Sequence, residues 1–118
     1  MNIAALSSLT GHTVLYSATT VLASTGVANP NGSGRLVRLS CVIAAFVGSS
    51  NSADISLAIS RGGSPVYLGK TLSIAKQTRL VLLERSTPLY LEEGDTLVAR
   101  ASANSTIDLT IAYEEISP

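Results

Sequence analysis

Hydrophobic positions along this chain recur every second residue, and nowhere do they keep a helical spacing. The clearest case is residues 53–60, where Ile55, Leu57 and Ile59 alternate with Asp54, Ser56 and Ser60, predicting a strand with one dry and one wet face. Arg61-Gly62-Gly63-Ser64-Pro65 follows and reads as a hairpin turn, because paired glycines reach the positive φ that a two-residue connection needs. Residues 66–69 are then a short return strand, and Leu72 with Ile74 makes another. Residues 88–103 organise the second half. Leu89 and Leu91 alternate with Tyr90 and Glu92, Glu93-Gly94-Asp95 supplies a turn, and Leu97, Ala99 and Ala101 then oppose Thr96, Val98, Arg100 and Ser102. After Ala103-Asn104-Ser105 the alternation resumes, with Ile107, Leu109, Ile111 and Tyr113 against Asp108, Thr110 and Ala112.

The first half is less regular. Residues 1–12 are expected to form an N-terminal arm whose apolar head (Ile3, Ala4, Ala5, Leu6) frays, packs on its own domain or straps a neighbouring subunit. Residues 13–23 read as one strand broken near 17–19, or as two short ones. Residues 24–34 hold Thr-Gly, Asn-Pro, Asn-Gly and Ser-Gly, and are expected to be a loop. Residues 35–46 predict a long central strand with Val37, Leu39, Cys41, Ile43 and Ala45 on one face, the other turning apolar at Val42, Ala44 and Phe46. A loop over 48–52, a strand over 79–84 and breaks at 76–78 and 86–88 complete the pattern. The predicted fold is all-β, a single-domain jelly-roll-like antiparallel β-sandwich of about eight strands spanning 13–118.

Composition narrows the partners. The 118 residues carry eight acidic and eight basic side chains, only 14% of the chain, against 46% hydrophobic residues. That balance gives no electrostatic footprint for nucleic acid. So little charge on a β-rich chain favours a homo-oligomer or a docked state over a free monomer. The single cysteine, Cys41, excludes an internal disulfide. The start of the sequence lacks a basic signal-peptide region and no apolar run approaches the ~20 residues of a membrane span, so synthesis in the cytoplasm and no membrane partner are expected.

No catalytic set, cofactor motif or metal site is legible. Glu92, Glu93 and Asp95 could offer hard oxygen ligands to a cation, but three carboxylates at a turn read first as solvated turn chemistry. Asp54, Asp108 and Glu114 take outward strand positions, and nothing in the sequence makes any two converge as a hydrolase pair. His12 and Cys41 are too few for a zinc site, and Cys41 falls in an apolar register where it is expected to fill core. Arg61-Gly62-Gly63 occurs once, unlike the repeated arginine-glycine segments that bind nucleic acid, and reads as a turn. Asn31-Gly32-Ser33 and Asn104-Ser105-Thr106 match the glycosylation triplet and read as turns. Tyr16, Tyr67, Tyr90 and Tyr113 could line a sugar-binding face, but their dispersal over four strands favours packing.

The segments Tyr-Leu-Glu-Glu-Gly-Asp-Thr-Leu from Tyr90, Ala-Ser-Ala-Asn-Ser-Thr-Ile-Asp-Leu from Ala101 and Tyr-Glu-Glu-Ile from Tyr113 resemble small β-sandwich virion proteins of tailed bacteriophages. These serve as head decoration (cement), head-fibre or tail accessory units. The resemblance covers about the last third of the chain, and elsewhere only the strand pattern. It brings no functional residues, and it implies a non-enzymatic structural role in a virion, as a trimer or other closed oligomer bound to major capsid protein or another virion protein. The arm and the 24–34 loop would anchor it. The alternative is a tail or head-fibre module that reads host-surface glycan or receptor through residues 48–52, 61–65 and 104–106, with Tyr67 or Tyr90.

Overall fold

The alternation of Ile107, Leu109 and Ile111 builds the strand on which the architecture rests. In the computed structural model, which describes residues 8–49, 51–75, 78–84, 86 and 89–117, there are nine strands and no helix among the described residues. They are β1 (Ser8–Ser17), β2 (Ala23–Asn29), β3 (Leu36–Phe46), β4 (Ser52–Arg61), β5 (Ser64–Ala75), β6 (Arg79–Leu83), β7 (Leu89–Leu91), β8 (Asp95–Ala101) and β9 (Ile107–Ser117). β9 pairs antiparallel with β1 from Ser8↔Ser117 to Ser17↔Asp108, and with β3 from Leu36↔Ile116 to Phe46↔Ile107.

Two antiparallel sheets result. The first has the order β1-β9-β3-β6, with β7 also paired to β3, and the second the order β2-β8-β4-β5. β6 pairs the end of β3 (Val42 to Ala45) and β7 its beginning (Val37 to Leu39), so the two act as one interrupted edge strand. The chain thus fills eight positions, crossing repeatedly between the sheets in the winding of a jelly roll. Leu39, Val42, Leu91, Leu109 and Ile111 of the first sheet are fully buried against Val27, Ile55, Leu57, Ile74 and Leu97 of the second. Buried Ala44, Ala99 and Ala101 let the layers close.

The Gly62-Gly63 hairpin forms as the sequence predicts, with φ of 62° and 84°. Several expectations are corrected. Residues 24–34 are not all loop, because β2 occupies Ala23–Asn29 with Thr25, Val27 and Asn29 turned inward and buried. Gly26, at φ 91°, marks a bulge in this strand, between the pairs Ser24↔Val98 and Ala28↔Thr96. β3 also changes phase. Leu39 pairs Tyr113 and Cys41 pairs Ala112, two steps on β3 against one on β9. The bulge at Ser40 hands the core face from Val37 and Leu39 to Val42, Ala44 and Phe46. Cys41 is consequently half-buried on the outer face and is not core filler. The strands expected around 66–69 and at Leu72 and Ile74 are one strand, β5, with register shifts against β4. Residues 1–7 of the anticipated arm lie outside the described residues, and 8–12 form the first half of β1.

Leu109 is buried at the centre of the core while Leu15 is 79% exposed on the neighbouring strand. Leu109→Ala should therefore cost ~2–5 kcal/mol of unfolding free energy in urea, and Leu15→Ala less than ~0.5 kcal/mol.

Candidate functional site

The strand connections gather at two opposite ends, because β4 carries the chain ~30 Å from one to the other. At one end Val47 N–H donates to the Thr106 carbonyl at 2.8 Å, and Thr20 N–H donates to Asn104 Oδ1 at 3.0 Å. The first joins the loops around 48 and 104–106, and the second ties the β1–β2 connection to the latter. At the other end stand the 30–35 loop, the Gly62-Gly63 tip, the Glu92–Gly94 turn and the beginning of β1. The three loops expected to make one reading surface are thus divided. Residues 48, 49, 51 and 52 share an end with 104–106, and 61–65 lie at the far one.

The turn carboxylates at this second end are committed to protein partners. Arg61 and Asp95 face each other in the β4–β8 register, and Arg61 donates Nε to Asp95 Oδ1 at 2.6 Å and Nη2 to Oδ2 at 2.8 Å. Asp95, 1% exposed, also accepts the Glu92 N–H at 2.9 Å. Glu92 lies 3.1 Å from Arg61, and Glu93 Oε1 accepts the Gly34 N–H at 2.6 Å. Asn29 joins the same corner from β2. Its Nδ2 donates to the Arg35 and Leu91 carbonyls at 2.9 Å, and its Oδ1 accepts from Ser33 Oγ at 2.6 Å. The arrangement ties β2, β4, β7 and β8 together, and its negative charge is answered by a guanidinium and backbone donors. Sequence reasoning missed Asn29 and Arg61, whose partners come from distant segments; the only local hint is the Asn-Pro and Arg-Gly-Gly punctuation.

The other candidates remain apart. Asp108 and Glu114 are six residues apart on β9, ~20 Å, and Asp54 belongs to the other sheet. Glu114 accepts Arg38 Nη2 at 2.6 Å and Ser40 Oγ at 3.0 Å. His12 stacks on Tyr113, ring centres 5.0 Å apart, and lies 3.7 Å from Glu115, which also pairs Arg35 at 2.5 Å. His12 on β1 and Cys41 on β3 line the same open depression with β9 between their strands, and Tyr113, opposite His12, pairs Leu39 and not Cys41. Among the described residues no three His, Cys, Asp or Glu side chains come together as a metal group. Tyr16, Tyr67, Tyr90 and Tyr113 lie on four different strands.

Two surface features stand out. On the outer face of the first sheet, Gly11 and Ala112 leave an open depression of about 580 Å³ bordered by Leu9, Thr13, Cys41 and Glu114. The face around it is arranged in cross-strand rows. Leu9–Ile116–Leu36 is one, Gly11–Glu114–Arg38–Tyr90 the next, Thr13–Ala112–Cys41 a third, and Leu15–Thr110–Ile43–Val81 a fourth. On the outer face of the second sheet a smaller hollow, about 100 Å³, holds Asp54, Ser56, Tyr67, Lys70 and Arg100. There Lys70 Nζ sits 5.0 Å over the Tyr67 ring, and Thr71 keeps a left-handed φ of 55° while its N–H donates to Ser56 Oγ at 2.9 Å.

No family model matches this sequence, and no curated protein matches it. Among solved structures, a chain from the disulfide-linked pili of Bacillus endospore appendages superposes with a TM-score of 0.56 at 11% identity, over 93% of this chain and 86% of that one. The two chains share a fold.

The Arg61 guanidinium holds the Asp95 carboxyl below its ordinary range, against the opposing effect of burial. A depressed carboxyl stabilises the fold at pH values above its unfolded pKa, ~3.9, and loses that contribution as pH falls through the lower folded value. Removing Arg61 would strand the buried Asp95 charge, and because Arg61 is itself 62% exposed, water offsets part of the loss. Arg61→Ala should therefore lower the unfolding stability at pH 7. The gap from the parent protein, measured by urea unfolding, should shrink below pH ~4.

Proposed function

We propose that this protein is a non-enzymatic structural subunit that associates with copies of itself. One observation carries the reading: the outer face of the first sheet is broad and sets exposed apolar side chains in several of its cross-strand rows. From Leu9 and Leu36 across Thr13, Ala112 and Cys41 to Leu15, Ile43 and Val81 it offers aliphatic, small and hydroxyl side chains. Its charges fall in two rows: Arg38 pairs with Glu114, one Nη2 donating to both carboxylate oxygens, and Asp108 and Arg79 share the row of Ser17 and Ala45. Contiguous apolar surface of this kind marks interaction sites in soluble proteins. The neighbouring pilus chain is a subunit of an assembled fibre, which agrees with the proposal. Its linkage does not transfer. One cysteine per chain could join two chains at most, so a larger assembly of this protein would be held by non-covalent contacts.

Within this reading the finer assignment is a virion component of a tailed bacteriophage. It would attach to the capsid lattice as a decoration or cement protein, as a trimer or another closed oligomer, after synthesis in the host cytoplasm. The support is the resemblance of the segments beginning at Tyr90, Ala101 and Tyr113. A second reading, recognition of a host-surface glycan, draws on the hollow where Tyr67, Lys70 and Arg100 meet polar groups. Tyr67→Ala would abolish binding to cells under that reading and leave a lattice protein's assembly unchanged.

Sedimentation equilibrium of the purified protein should give a mass of two or more chains at micromolar concentration; a monomer at every concentration would sink the proposal. Val81, 43% exposed on the face, offers the surface test. Val81→Lys should change folding stability by less than ~0.5 kcal/mol while raising the concentration needed for association at least ~10-fold, about 1.4 kcal/mol.

A further inference from the structure

The sandwich has four sheet edges, and they differ in how well they are protected against pairing with another chain. β2 is bulged at Gly26. β5 begins next to Pro65, shifts register twice against β4 and carries Thr71 in a left-handed conformation. The third edge is divided between β6 and β7, five and three residues long. Short, bulged or proline-bearing edges are the usual safeguards against edge-to-edge association. β1 has none of them. It runs ten residues in unbroken register with β9, contains no proline and no Asp, Glu, Lys or Arg, and has no strand on its other side among the described residues. Its outer edge therefore presents a row of backbone donors and acceptors flanked by Leu9, 62% exposed, and Leu15, 79% exposed.

We propose that β1 pairs antiparallel with β1 of a second copy across a two-fold axis at His12, fusing the two first sheets into one. This rests on the self-association proposed above and adds an edge contact to the one proposed for the outer face. The register follows from the faces. Directly opposed residues of an antiparallel pair lie on the same side of the sheet, and β1 turns its odd-numbered residues outward, as Thr13 and Leu15 show by their rows with Ala112 and Thr110. A continuous sheet must therefore set odd positions against odd. Of these registers, the one centred on His12 places Leu9 of each copy opposite Leu15 of the other and Gly11 opposite Thr13. Both exposed leucines are then covered, and no like charges meet along the strand.

The test is disulfide trapping in a Cys41→Ser background. His12→Cys would bring two thiols opposite each other with Cα atoms ~4.5–5.5 Å apart, inside the range a disulfide spans. On mild oxidation most of that variant should run as a covalent dimer on a non-reducing gel. Leu9→Cys and Leu15→Cys, each ~20 Å from its own counterpart, should stay monomeric alone and cross-link when mixed. If neither His12→Cys nor the mixture cross-links while the parent protein still sediments as an oligomer, edge pairing is wrong and self-association stands. If the parent protein is monomeric at every concentration, both fall.

Discussion

The double pairing of β9 is the constraint on which the rest of the molecule depends. Its backbone bonds are used on both sides, by β1 and by β3. Its inward residues Ile107, Leu109 and Ile111 fill the centre of the space between the layers. Because the strand is hydrogen-bonded on both edges and buried along one face, slipping it by one residue would turn every core side chain toward water. The other strands take their register from it. Those of the second sheet are positioned by what they pack against, and at one end by the Arg61–Asp95 pair and the bonds of Asn29.

Where one residue type decided local geometry, the chain could be read directly. Ile55 and Leu57 alternate with polar residues and are buried, the two glycines at 62 and 63 make the tight turn, and Gly94 takes a positive φ before β8. The all-β class and the jelly-roll winding follow from such stretches taken together. Reading failed where a strand departs from period two. Gly26 looks like a loop residue when seen alone, yet in the fold it is the irregular step of a strand whose Thr25 and Val27 face the core. Ser40 gives no local sign of the extra residue that β3 carries there. The step is visible only against β9, a partner some seventy residues away in sequence.

The candidate sites were less legible for the same reason. Three carboxylates within four residues looked like a cation loop or a wet turn, and a short window could not show that Arg61 and the Gly34 amide would be delivered to them by other strands. Cys41 was assigned to the core by a rhythm that breaks one position before it. The tyrosines, by contrast, were legible as dispersed, since their spacing alone puts them on separate strands.

The irregularity at Ser40 also shapes how this chain can change over evolutionary time. Removing one codon there would put the two halves of β3 in phase, so that Cys41, Ile43 and Ala45 would compete with Val42, Ala44 and Phe46 for the interior. The exposed Gly62-Gly63 tip has the opposite character, since a loop pays only ~0.6 kcal/mol for each doubling of its length. Variation in length should accumulate at that tip and be purged from the middle of β3.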